Sequence, residues 1–161
     1  YTALMQDLGA RRAAAEERPH LDIALRRAEL VRQFPLFGEL DRPTLRRLGR
    51  ALQTRYVNAG EVIIRRDTAL HSAYFIASGA VELESAGQSW RLGRGEVFGQ
   101  IAILMKRRHR GEVRAIAPST ILVLDEVRFR RLLRRSASVK AAVIAQAEQR
   151  GLDPALLEDE L

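Results

Sequence analysis

Between residues 55 and 124 the apolar residues mostly stop recurring at helical spacing, and seven glycines and one proline punctuate the chain. That change of period constrains the fold more than any other feature. Tyr56 and Val57, then Val62, Ile63 and Ile64, flank Asn58-Ala59-Gly60, which reads as strand, turn, strand. Residues 73–77 read as a further strand that ends near Gly79. Val81 and Leu83 then alternate with Glu82 and Glu84, the pattern of a strand with one buried face. Gly87 turns the chain into a segment holding Trp90 and Leu92; residues 113–117, a turn at Pro118 and residues 121–124 complete the run. Short strands at this spacing bury their apolar faces against one another, which predicts an antiparallel sandwich or barrel.

Helical patterns bracket the strands. Leu4, Met5 and Leu8 recur at helical spacing in residues 2–18, and Pro19 ends that segment. Residues 20–33 carry a second stripe of Leu21, Leu25, Ala28, Leu30 and Val31, and the two segments pack on the core, on a twin chain or lead to another domain. Phe34-Pro35-Leu36-Phe37 is an apolar elbow, since proline disfavours helix at the residue before it. Asp41 is placed to cap a helix over residues 42–52 with Leu45 and Leu48 inward. After the strands, residues 127–134 put Phe129, Leu132 and Leu133 on one side. Ser136 or Ser138 caps a last helix to Gln149 along Val139, Val143 and Ala147, and Gly151 and Pro154 stop it. The expected division is a helical linker at 1–33, a domain at 34–150 and an acidic tail at 151–161 that ends Glu158-Asp159-Glu160-Leu161.

The central stretch, residues 93–115, carries the chemistry. Glycines open it, Phe98 offers a core anchor, and Gly99 lets a ligand or a second backbone approach. Residues 100–105 suit one short helical turn, whose first amides lack internal partners and favour an anion such as phosphate. A basic run, Lys106-Arg107-Arg108-His109-Arg110, follows, and Gly111 restarts an extended segment. Amides, a small helix and positive charge are thus expected to converge on a phosphate pocket.

Composition removes several alternatives. The formal net charge is +7, but acidic residues such as Glu16, Glu17, Asp22 and Glu29 lie among the arginines, so no nucleic-acid partner is expected. With no cysteine, disulfides and thiolate metal sites are excluded. No run is long enough to cross a membrane, and the first residues do not read as a signal peptide. The chain starts at Tyr1, which suggests a piece of a longer protein. His71 reads as a surface residue in a turn rather than a metal ligand. No serine has a base and an orienting partner, so no enzyme, cofactor or catalytic residue is expected.

Several segments together resemble the cyclic nucleotide-binding domain family, over residues 31–150. Phe34-Pro35-Leu36-Phe37-Gly38-Glu39-Leu40 is similar to its entry elbow, and Gly60-Glu61-Val62-Ile63 to its second strand. Tyr74-Phe75-Ile76-Ala77-Ser78-Gly79-Ala80-Val81-Glu82 matches its central strand and turn. Phe98-Gly99-Gln100-Ile101-Ala102-Ile103-Leu104 resembles its phosphate-binding cassette. Val123-Leu124-Asp125 and Phe129-Arg130-Arg131-Leu132-Leu133 resemble its last strand and hinge helix.

The resemblance implies a mostly β fold, an antiparallel β-roll or jelly roll, with N-terminal helices, a short cassette helix and C-terminal hinge and lid helices. It also implies cAMP or cGMP as ligand, held by Gly99, Gln100, Ile101 and Ala102 with His109 or Arg110, and Gly111 beside them. Two departures stand in that pocket. Gln100 replaces the family's glutamate, keeping an acceptor but losing the charge. His109 falls where the family's arginine grips the cyclic phosphate, followed by Arg110 and Gly111, and imidazole cannot make the bidentate contact. Arg108 or Arg110 substitutes if the loop shifts by one residue, whereas Glu112 counts against an anion. Two readings stay open: a working nucleotide pocket, or a degenerate pocket in a regulatory relay.

For the parent protein, residues 8–40 look like the tail of bacterial sodium/proton antiporters, and cyclic-nucleotide-gated potassium channels have a similar layout. The expected setting is the cytoplasmic side of the inner membrane, joined to a transporter domain of the same chain and assembled as a homodimer. A ligand-sensing domain of a catabolite-activator-type transcription regulator is the alternative, and a protein-kinase regulatory subunit is a weaker one.

Overall fold

The computed structural model describes residues 30–69 and 71–150. The leading helices expected over 2–18 and 20–33 therefore lie outside the described residues up to residue 29, as does the tail at 151–161. Residues 30–32 are helical and enter the elbow at Pro35–Phe37, a single 3-10 turn that begins on proline. Helix α1, Arg42–Ala51, starts where Asp41 accepts from the Thr44 amide at 3.0 Å, the cap read from sequence.

Eight strands follow. They are β1 (Gln53–Val57), β2 (Val62–Ile64), β3 (Ser72–Ser78), β4 (Ala80–Ser85), β5 (Gln88–Gly93), β6 (Val97–Phe98), β7 (Glu112–Ala115) and β8 (Ser119–Asp125). They form two four-stranded sheets in the orders β1-β8-β3-β6 and β2-β7-β4-β5, with antiparallel pairing throughout. The fold is thus the antiparallel β-roll flanked by helices that the sequence predicts. The strand expected to run to Ala117 stops at Ala115: the Ile116 amide still bonds the Ala80 carbonyl, but the Ala80 amide is taken by Ser119 Oγ and the ladder is not continued. Helices α2 (Gln100–Leu104), α3 (Glu126–Arg135) and α4 (Ala137–Gln149) complete the described chain. Ser136, not Ser138, caps α4: its Oγ accepts from the Val139 amide at 3.3 Å.

Alternation along the strands divides the core in two. From β3 and β8, Tyr74, Ile76, Ile121 and Val123 face the other sheet, where Val81, Leu83 and Val113 meet them, with Phe98 of the neighbouring β6 in the same layer. Ala73, Phe75, Leu122 and Leu124 face the helices. Phe75 is the pivot of that second layer, with its ring edge-on to Phe34 at 5.5 Å and tilted to Phe37 at 4.9 Å. The elbow is thereby fixed against the same sheet that carries α3 and α4. At Gly79, with φ +93°, a Cβ would stand 2.1 Å from Ser119 Oγ. Buried Ser119 needs that approach, since its Oγ accepts from the Ala80 amide at 3.1 Å.

Candidate functional site

The segment between β6 and β7 is built inward from Phe98, which is fully buried and stacks on Tyr74 at 4.9 Å. Gly99 then turns into the left-handed region, φ +84°, to start α2. A Cβ there would lie 2.4 Å from the Ser72 carbonyl oxygen, so only glycine lets β3 and the cassette approach this closely. Every residue of α2 is buried, Gln100 included. A buried amide at the first helical position is costly unless bonded. Its Nε2 donates to Gln146 Oε1 of α4 at 2.9 Å, while its Oε1 has no partner. Turning both amides over reverses the bond and still leaves one buried polar atom of Gln100 unmatched.

Gln100 lines a cavity of about 280 Å³ together with the elbow (Phe34, Pro35, Leu36), Glu96, and Gln146, Gln149 and Arg150 of the α4 end. The volume lies near the lower limit for small-molecule sites. Val139, Val143 and Ala147 seat α4 on the core. Gln146 and Arg150, each three residues beyond one of these, extend that face over the cavity as polar groups. Sequence reasoning assigned Gln146, Gln149, Arg150 and Glu96 no role in the site. The one signal for the α4 residues was their helical spacing from the apolar stripe.

The basic run does not converge as the sequence suggested. After Lys106, itself at φ +53°, the loop is laced to residues 67 and 68 by backbone bonds. The Asp67 amide donates to the His109 carbonyl at 2.8 Å, and the His109 amide to the Thr68 carbonyl at 3.0 Å. Arg108 Nη1 is occupied by the Asp67 carbonyl at 3.0 Å, and Arg110 is exposed. Gly111 is buried, with room for no Cβ against the Glu84 carbonyl oxygen and Leu83. Glu112 ion-pairs with Arg114 at 3.6 Å. Of the seven residues singled out from sequence, Gln100 alone lines the cavity; Ile101 and Ala102 are buried beside it in α2 and do not line it.

His109 is half-buried, and its Nδ1 lies 2.7 Å from the Gly111 carbonyl oxygen. A carbonyl only accepts, so Nδ1 carries the proton, and the neutral ring presents Nε2 as an acceptor. Burial pushes its pKa below the usual imidazole range; the Gly111 bond raises it, and His71, Arg150 and Arg107 lower it further. Arg107 is itself held down, by burial and then by Arg110. Arg150 therefore acts on His109 and also lines the cavity with Gln100. The cavity offers a buried amide and an arginine on the end of a helix, while His109, Arg110 and Gly111 do not line it. Among the described residues no cluster suits a metal ion, and no helix is long and apolar enough to cross a membrane.

Comparison with known proteins fits this geometry. A provisionally named potassium channel protein of Rhodopseudomonas palustris is 36% identical over 114 residues, covering 68% of this chain and 28% of its own. A cyclic nucleotide-gated potassium channel of Rhizobium etli is 31% identical over 131 residues, covering 81% of this chain and 37% of its own. This chain thus spans well under half the length of either relative. Among solved structures, the regulatory domain of Toxoplasma gondii PKA with cAMP superposes with a TM-score of 0.72 at 19% identity, over 80% of this chain and 51% of that one. A cyclic nucleotide-binding protein from Geobacter metallireducens, so described provisionally, gives 0.65 at 16% identity, over 76% and 92%. Residues 54–136 match the profile of the cyclic nucleotide-binding domain. The chain belongs to the cyclic nucleotide-binding domain family.

Proposed function

We propose that this chain is the ligand-sensing domain of a membrane cation transporter, and that a cyclic mononucleotide, cAMP or cGMP, sets the position of α4. The observation that carries this is the Gln100–Gln146 hydrogen bond, which ties the cassette directly to the last helix across a cavity. A ligand entering there competes for the Gln100 amide and meets Arg150, so its binding energy depends on where α4 lies. Only such differential affinity shifts the balance between two helix positions, and a roughly hundredfold difference is worth about 2.7 kcal/mol. The named relatives with the largest overlap are potassium channels, which supports a cation-transport setting. They lend no support to the sodium/proton antiporter form expected from residues 8–40, and the transcription-regulator alternative has no support from them either.

Calorimetry with cAMP and with cGMP tests the proposal. Heat at sub-millimolar ligand, lost in Gln100→Leu, is the expected result. No heat from either nucleotide at millimolar concentration refutes ligand sensing. The second reading, a degenerate relay, then takes its place. What favours it is His109, a neutral acceptor where an anion needs a donor.

A further inference from the structure

A groove of about 570 Å³ lies between α1 and α3, away from the cassette, and reaches Ser136 at the start of α4. Two rows of arginines form its walls. Arg47 and Arg50 stand three residues apart on α1, and Arg128, Arg131 and Arg135 recur at i, i+3 and i+7 on α3. The second row is about 10 Å long, or roughly two helical turns. All five side chains are exposed. Two carboxylates, Glu39 and Asp41, also line the groove, which leaves a net charge of +3. Asp41 is engaged by the Thr44 amide, and Arg128 is paired with Asp125. Arg50, Arg131 and Arg135 make no ion pair among the described residues. Between the walls lie Leu48 and Leu132, both buried, with Leu40 and Ala51 half-buried beside them.

Guanidinium groups on both walls favour acids on both flanks of whatever lies between them. Leucines at the base favour an apolar stripe facing down. A helix with leucines along one face, and Glu or Asp on either side at the spacing of the arginine row, meets both demands. A single carboxylate or phosphate would engage one wall only. A flat anionic membrane would meet the outer guanidinium groups and miss the recessed leucines.

We propose that this groove docks an acidic, leucine-striped helix of a partner protein, with its acids on Arg50, Arg131 and Arg135 and its leucines over Leu48 and Leu132. Arg135 is the last residue of α3, and Ser136, which follows it, caps α4 through the Val139 amide. A partner held there bears on the junction from which α4 starts. Docking requires no nucleotide at the cassette.

The probe is a synthetic helix of about sixteen residues, made of Leu, Glu and Ala, with its leucines in one stripe and its glutamates flanking them. One control has the same residues in scrambled order, and another has Lys for every Glu. Fluorescence anisotropy with the whole 161-residue chain should show the striped acidic probe binding at least about tenfold tighter than its scrambled isomer, and the Lys probe not at all. The methyl resonances of Leu48 and Leu132 should shift on titration, while those of Ile63 and Val113, in the β2-β7-β4-β5 sheet, stay in place. The exposed pair Arg131→Glu, Arg135→Glu should weaken binding about tenfold, and Arg47→Gln with Arg50→Gln on the other wall should weaken it several-fold. A native amide spectrum checks the folding of each pair; if both misfold, the methyl shifts in the native chain decide alone. Equal binding of the scrambled isomer would overturn the proposal, because charge alone would then account for it. Unmoved Leu48 and Leu132 methyls would overturn it as well. So would phosphatidylglycerol vesicles that bind through Arg131 and Arg135 while the probe does not, which assigns the arginines to a membrane. Concentration-dependent dimers lost in the Arg131→Glu, Arg135→Glu pair would assign the groove to a second copy and refute it too.

Discussion

Replacing His109 by arginine, and following affinity against pH in both proteins, tests the chemistry of the cassette most directly. In the native chain Nδ1–H is committed to the Gly111 carbonyl, so the neutral ring offers a phosphate oxygen only the Nε2 lone pair. An anion held by His109 must first have the ring protonated. That cost is about 1.4 kcal/mol for each pH unit above the ring's pKa. Burial holds that pKa below the ordinary value, about 6.5. At pH 7.5 the cost therefore exceeds about 1.4 kcal/mol, a tenfold loss of affinity. Since a phosphodiester stays ionised throughout this range, affinity should rise by up to about tenfold per unit as pH falls below the bound-state pKa, and level off only below the free ring's pKa, which lies under about 6.5. Arginine needs no protonation and adds a bidentate contact, but it loses the Gly111 bond, about 1 kcal/mol. Net tightening at pH 7.5 should be several-fold or more, and the pH dependence should disappear. Calorimetry at half-unit intervals from pH 5.5 to 8 measures both. A flat native profile together with unchanged affinity in His109→Arg would refute the reasoning and point to Arg150 or Arg107 instead.

Three further outcomes follow from the same coordinates. Because the folded pKa of His109 is depressed, the unfolded chain takes up its proton first; stability should hold above about pH 6.5 and fall as pH drops through the folded pKa, by at most about 1.4 kcal/mol per unit. Urea titrations from pH 7.5 to 5 should show this slope shrinking in His109→Asn, and an equal slope in the variant would contradict it. Gln146→Ala strands both ends of the buried Gln100 amide and should cost about 1–3 kcal/mol, more than Gln100→Leu, which removes the polar group altogether. Denaturant melts of the two would expose the error if their order were reversed, and hydrogen exchange should speed up over residues 139–149 in both. Gly99→Ala forces a side chain to φ +84° with its Cβ 2.4 Å from the Ser72 carbonyl; a loss of at least about 2 kcal/mol is expected, and a change within 0.5 kcal/mol would mean that the turn is not held as described.

Most of the architecture was legible because it rests on short-range physics. Strand alternation at Val81 and Leu83, turns at Gly60 and Gly79, and the cap at Asp41 depend on neighbours a few residues apart. The cassette was legible through its resemblance, and the left-handed φ of Gly99 agrees with a glycine placed there. What the local pattern could not supply was the direction of each side chain after Met105. There the path is set by backbone bonds to Asp67 and Thr68, about forty residues earlier, and they place Arg110 in solvent and His109 inside.

By itself, the order of residues determined the β-roll, its helical ends and the place of the short helix that Gly99 starts, since period, glycine and capping act within one element. Only tertiary structure decided that Gln100 meets Gln146 rather than a neighbour in its own loop, that Arg150 comes to the cavity, and that arginines of α1 and α3 share one groove. The physical reason is range: hydrophobic packing chooses which helix lies over which sheet, and polar partners are then assigned by whatever faces that packing brings together.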